Sequence, residues 1–185
     1  MVDRILKEAR SKMEKTLEAF RHELMHIRTG RASAELLDTI EVEVYGSKMK
    51  INQVGNISTP DARLIVVQPW DKSQIGAIEK AILTSPLDLN PSNDGTVIRV
   101  PLPKLSEERR KELVKVVSKL SEEARVSVRN VRRHELDEGK KMQKDGKLPE
   151  DDAKKLSNEV QKLTDDYIKK IDDVLKHKEA EIMEV

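Results

Sequence analysis

Four arginines spaced for one helical face are the first residues in this chain that could do chemistry: Arg125, Arg129, Arg132 and Arg133. Offsets of i, i+4, i+7 and i+8 bring them to one side of an α-helix. Leu113, Val116, Val117, Leu120, Ala124, Val128 and Val131 mark a separate apolar face of the same segment. A helix docked on that face turns a row of guanidinium groups toward solvent. Such forks match phosphate oxygens, and a row of them can follow a nucleic-acid backbone. The alternative is a solvated face balanced by acids, for which Glu122, Glu123 and Glu135 are at hand. Both readings stay open at this stage.

A second constellation is His22-Glu23-Leu24-Met25-His26, which matches the H-E-x-x-H signature of zinc proteases. Its register argues against catalysis. Leu17, Phe20, Leu24 and Ile27 define the buried face, so both histidines point toward solvent, where adventitious zinc is the most they would hold. A zinc hydrolase also needs a third ligand and a shielded water, and no strong third ligand follows. His134 and His177 lie in charged helical surroundings and read as solvated. Gly55, Gly76 and Gly95 are isolated, so no phosphate-cradling loop is expected. Asp165/Asp166 and Asp172/Asp173 lack the apolar setting that raises a carboxyl pKa. No catalytic residue, metal or cofactor is expected.

The elements carrying these residues follow from periodicity. Leu6, Ala9, Met13, Leu17, Phe20, Leu24 and Ile27 form one helical stripe near the N-terminus. Ala153, Leu156, Val160, Leu163, Tyr167, Ile171 and Val174 form another, after an acidic start at Glu150-Asp151-Asp152. Ser106 reads as the N-cap of the middle helix, and Gly146 and Pro149 separate that helix from the last. At about 1.5 Å per residue the middle helix approaches roughly 60 Å. Three such helices predict an elongated bundle.

Between the first two helices the composition changes. Residues 31–103 carry 16 charged side chains in 73 positions, against 53 in the other 112, about half the density. Ile40, Val42 and Val44 alternate with Glu41, Glu43 and Tyr45 as in a half-buried strand ended by Gly46. Leu64–Val67 and Thr96–Val100 are further strands, and Ile75, Ile78, Ala81 and Ile82 mark a short helix opening near Asp71. Leu89–Gly95 reads as turn chemistry leading into a strand. The fold class is therefore α+β. Residues 1–29 and 104–185 form the bundle, and residues 30–103 form an inserted β/α/β domain. Thr29-Gly30-Arg31 and Pro101-Leu102-Pro103 form its two connections, expected to act as a hinge with one permissive and one stiff strand.

Composition narrows the partners. The chain has no cysteine and a net charge of +1, so nucleic-acid attachment has to come from local patches. Phe20, Tyr45, Trp70 and Tyr167 are the only aromatics, too few for platforms that stack splayed bases. Met1–Arg10 has no apolar core of a signal peptide, and no later run could span a bilayer, so a cytoplasmic protein without membrane association is expected.

Several runs then add specificity. They are Ile27-Arg28-Thr29-Gly30-Arg31-Ala32-Ser33, Asp88-Leu89-Asn90-Pro91 with Ile98-Arg99-Val100-Pro101-Leu102-Pro103, Glu107-Glu108-Arg109-Arg110-Lys111, Ala124-Arg125-Val126-Ser127-Val128-Arg129-Asn130-Val131-Arg132-Arg133, and Glu150-Asp151-Asp152 with Val160-Gln161-Lys162-Leu163-Thr164-Asp165. Together, and in this order, they resemble the ribosome recycling factor family. The resemblance implies an L-shaped, two-domain molecule. It implies binding to the post-termination ribosome and splitting of that ribosome into subunits with elongation factor G, the partner that hydrolyses GTP. It also implies that Arg129, Arg132 and Arg133, with Asn130 beside them, contact large-subunit ribosomal RNA around the peptidyl site. Arg125 belongs to the same row, and Arg28 and Arg31 flank Gly30 near the same end. A monomer is expected. Zinc hydrolysis at His22 and His26, or a protein-only coiled-coil adaptor, are the competing classes. Metal analysis after chelation tests the first, and salt-sensitive ribosome sedimentation tests the second.

Overall fold

A computed structural model describes residues 1–184. The chain is an α+β protein whose elements run α1 (Val2–Met25), β1 (Glu41–Val44), β2 (Ser47–Lys50), β3 (Gly55–Asp61), β4 (Leu64–Pro69), α2 (Ile75–Leu83), β5 (Ser92–Asn93), β6 (Ile98–Pro101), α3 (Glu107–Lys144) and α4 (Glu150–Met183). It divides into two compact units, Met1–Leu24 with Arg110–Glu184, and Met25–Arg109.

The first unit is built from α1, α3 and α4. Ile5, Ala9, Met13, Leu17, Phe20 and Leu24 of α1 are buried, as are Leu156, Val160, Leu163, Tyr167 and Ile171 of α4. The stripes follow the periodic pattern with small shifts. Ile5, not Leu6, takes the innermost position, and Ile27 lies beyond the end of α1. On α3, Leu113, Val117, Ala124 and Val128 are buried, but Val116 is exposed because its neighbour Val117 occupies the inward position of that turn. The buried stripe continues through Ser121, Glu135 and Gly139, which hydrophobicity alone could not assign.

Polar ties cross all three pairs of helices. Lys12 Nζ donates to Glu135 Oε1 at 2.6 Å, Tyr167 Oη to Glu14 Oε2 at 2.5 Å, and Arg125 Nη2 to Asp172 Oδ1 at 2.6 Å. Burial and the Glu14 carboxylate push the Tyr167 phenol up to about 12, so it stays a donor at neutral pH. Arg125 pairs with Asp172 whereas Arg132 pairs with Gln161, so α3 and α4 run antiparallel. Ser106 Oγ caps α3 by accepting from Arg109 N at 3.2 Å. At its far end Lys147 N donates to Met142 O and Gly146 N to Gln143 O, with Gly146 at φ +71°, a Schellman stop.

In the second unit β1 and β2 form a hairpin whose turn residues Tyr45 and Gly46 have φ of +51° and +76°, the signs of a type I′ turn. β3, β4, β6 and β5 form an antiparallel sheet in that spatial order. Val42, Val44, Ile65, Val67, Ile78, Ile82, Ile98 and Val100 fill one core between the sheets and α2. β2 and β3 carry no signal in the apolar pattern. Ser47-Lys48-Met49-Lys50 offers only Met49, partly buried against the core, and β3 is an edge strand containing Pro60. β5 lies within the stretch that reads as a turn, where it pairs with β6 around Asp94-Gly95.

Two outcomes test this packing. A Cβ on Gly55 would sit 2.6 Å from the Gln68 carbonyl oxygen, whereas one on Gly76, in α2, meets nothing within 4 Å. Gly55→Ala is expected to lower unfolding free energy in urea titration by roughly 1–3 kcal/mol. Gly76→Ala should raise it by about 0.4–1 kcal/mol.

The Asp94 carboxylate accepts from Val97 N and Thr96 N and pairs with Arg99, which holds its pKa at about 2 against an ordinary 3.8. A depressed carboxyl pKa stabilises the hairpin above the ordinary value, and that contribution disappears as pH falls through the folded value. Carboxyl NMR should therefore titrate Asp94 near 2. Asp94→Asn should remove the matching acid-dependent change in Thr96 and Val97 amide shifts.

Candidate nucleic-acid interface

The four stripe arginines share a helix but not an environment. Arg125 is only 19% exposed, so it does not belong to the solvent-facing row expected of it. Its Nε and Nη2 both donate to Asp172 Oδ1, at 2.9 and 2.6 Å, and Nη1 donates to Glu122 Oε2 at 2.9 Å. The two bonds to Asp172 tie α3 to α4, and the third engages Glu122 of α3 itself. The reason is register: Arg125 follows buried Ala124 and borders the α4 seam, so its fork is captured by an acid of the neighbouring helix.

The arginines further along α3 are held by fewer charged contacts. Arg129 is 37% exposed and shares Glu122 through a 3.1 Å contact. The two arginines hold the Glu122 carboxyl below its usual range. Arg132 Nη1 donates to Gln161 Oε1 at 3.2 Å, and Gln161 Nε2 donates to Asp165 Oδ1 at 2.9 Å. This relay orients the Arg132 fork through a neutral amide, so the contact leaves the guanidinium charge uncompensated. Asn130 and Arg133 are exposed.

The acids that could balance the stripe also separate. Glu122 does so. Glu135 does not: it is fully buried, and its Oε1 receives Lys12 of α1. Position i+10 from Arg125 places it around the helix on the core side, a rotation that apolar patterning hides when the core residue is itself charged.

The remaining sequence-derived positions lie in the second unit. Arg28 Nη1 donates to the Leu87 carbonyl at 3.3 Å, so this arginine anchors a loop of its own unit; Arg31 is exposed. Thr29 is buried, and Gly30 has φ +78° with Leu105 Cγ 3.3 Å from where a Cβ would stand. Pro101 and Leu102 do not form a free connection. Pro101 closes β6 opposite Leu64, and buried Leu102 donates its N–H to the Arg63 carbonyl at 2.7 Å. The chain leaves the sheet only at exposed Pro103. The inward alternation of Ile98, Val100 and Leu102 runs past the first proline, because a proline at the end of a strand is tolerated where no ladder donor is required.

His22 lies in the last turn of α1, and His26 lies past its end. Both are exposed, and among the described residues neither belongs to a group of three potential metal ligands.

Comparison with known proteins decides the family. The model of the ribosome recycling factor family matches residues 20–183. The chain belongs to the ribosome recycling factor family. The ribosome-recycling factor of Bacillus thuringiensis (strain Al Hakam) is 54% identical over 185 residues, the whole of both chains, and that of Bacillus mycoides (strain KBAB4) is 53% identical over the same span. A solution structure of the ribosome recycling factor superposes with a TM-score of 0.81 at 47% identity, covering 100% of this chain and 98% of the other. A second match, at TM-score 0.69 and 45% identity with full coverage of both chains, is described as models for the T. thermophilus ribosome recycling factor and the E. coli elongation factor G bound to the E. coli post-termination complex.

Within this recycling-factor fold, sequence reasoning misses Asp172, Gln161 and Asp165 as partners of the stripe. Asp172 and Asp165 read as solvated, and only their opposition to α3 across an antiparallel helix pair reveals the contacts. No helix among the described residues is long and apolar enough to cross a membrane.

Arg125→Ala should cost stability, because its removal strips Asp172 and Glu122 of charge-assisted bonds. Urea titration should show a loss of about 1.5–3 kcal/mol. An unchanged midpoint would mean the tie between α3 and α4 is not formed in solution.

Proposed function

We propose that this protein binds the ribosome after termination and, with elongation factor G hydrolysing GTP, separates it into subunits for reuse. The observation that carries the ribosomal contact is the graded stripe on α3, whose outer end holds an oriented, uncompensated guanidinium at Arg132. In this reading Arg129, Asn130, Arg132 and Arg133 meet large-subunit ribosomal RNA near the peptidyl site. Preorganisation through Gln161 and Asp165 reduces the ordering cost of that contact. Arg125 contributes by holding the helix, not by touching RNA.

The functional division follows the same reading. The helical unit, Met1–Leu24 with Arg110–Glu184, carries the RNA contact, and the inserted unit, Met25–Arg109, answers the GTPase. The flexible passage lies at Thr29-Gly30-Arg31 on one strand. On the other it begins at Pro103, since Pro101 and Leu102 are held by the sheet. The chain acts as a cytoplasmic monomer and supplies no catalytic residue of its own. Membership of the family and the described assembly of a 45% identical relative with elongation factor G on the post-termination complex both support this reading.

Arg132→Ala is the discriminating variant. Loss of one charge-assisted phosphate contact should weaken ribosome binding by roughly tenfold or more. The slope of log affinity against log salt should fall by about one. Stability should change by no more than about 0.5 kcal/mol. Lys at this position should restore affinity only in part, because an ammonium lacks the fork. Ribosome sedimentation at two salt concentrations, with urea titration of the same variant, reads all three. Unchanged affinity would remove Arg132 from the interface.

A further inference from the structure

Directly after the stripe, α3 places three metal-competent side chains together: His134, Glu135 and Glu138 each offer a donor atom, all within 4.8 Å of one another. Glu135 is fully buried, an expensive position for a carboxylate. Its Oε1 lies 3.3 Å from His134 Nδ1, while its Oε2 is buried without a hydrogen-bond partner among the described residues. The nearby compensation is cationic. Lys12 Nζ reaches Oε1 at 2.6 Å, and Arg4 Nη2 reaches Glu138 Oε1 at 3.6 Å. Both come from exposed stems on α1 that can swing into solvent.

We propose that His134, Glu135 and Glu138 form a site for a divalent transition cation of the zinc type, which exchanges with the Lys12 ammonium against Glu135. The donor set is one imidazole and two carboxylates, hard-to-borderline ligands suited to zinc and leaving one position for water. Zinc bonds near 2.0–2.1 Å require donors roughly 3.3 Å apart in a tetrahedron. The His134 to Glu135 separation already has that value, and Glu138 is one helical turn from His134, the spacing at which two side chains converge.

Zinc titration against a chromogenic chelator tests this in the full chain carrying His22→Gln and His26→Gln, which removes the exposed histidine pair. One equivalent of zinc should bind. His134→Ala and Glu138→Gln, both on accessible side chains, should each weaken it by about tenfold or more. Lys12→Met should strengthen binding, because the competing ammonium is gone and Glu135 is left without a cation. Should Lys12→Met fail to fold, refolding on zinc addition supports the exchange, and failure to refold overturns it. Cobalt substitution should give the visible absorption of a four-coordinate site in the parent and lose it in His134→Ala. Absence of saturable zinc binding up to about 100 μM, or affinity unmoved by both His134→Ala and Glu138→Gln, overturns the proposal.

Discussion

The rotational setting of α3 within its bundle is the constraint on which the rest depends. A helix of 38 residues presents every side chain at an angle fixed by its neighbours, so a small rotation would exchange core and surface positions. Apolar residues define the inward direction loosely, since Val116 and Val117 could each have served. Polar ties narrow it. Arg125 is clamped to Asp172, and Glu135 can be buried only where Lys12 meets it. With both satisfied, Arg132 and Arg133 are left on the outer side. Breaking one member of such a pair leaves a charge without compensation, which costs more than the pair itself contributes. The same polar contacts that add modest net stability thereby specify one register.

That arrangement gives the four arginines different work although their spacing is regular. The fork of Arg125 is consumed internally. Arg129 shares a carboxylate, while Arg132 is oriented by an amide that does not cancel its charge. A phosphate-binding side chain needs both orientation and residual charge, and only the last part of the stripe offers the two together. Under the proposed reading, the ribosomal contact has its physical counterpart in a gradient along one helix, from structural tie to available donor.

Much of this is legible in the residues. Helical stripes in α1 and α4, the Ser106 cap, the Gly146 stop and the strands around Val42, Ile65 and Val100 all follow from local period or local turn chemistry. What periodicity does not reveal is long-range or charged. Glu135 reads as a surface acid because its partner, Lys12, is 123 positions away. Asp172 reads as solvated because the helix opposite it is invisible in a linear pattern. β3 escapes notice because an edge strand with a proline lacks an apolar face, and Pro101 reads as a connector although it pairs with Leu64. Each miss is a case of tertiary context reversing a local signal.

The central claim, that the outer end of the α3 stripe meets ribosomal RNA, is open to a proximity measurement that needs no affinity change. The chain has no cysteine, so Asn130→Cys supplies a unique anchor beside Arg129 and Arg132 for an iron chelate that generates hydroxyl radicals. Val116→Cys, an exposed position on the same helix away from the stripe's end, supplies the comparison. On vacant ribosomes the Asn130 probe should cleave large-subunit RNA at a compact set of positions, with stronger cutting than the Val116 probe. Ribosome binding by the tethered protein with no large-subunit cleavage from Asn130 would contradict the account.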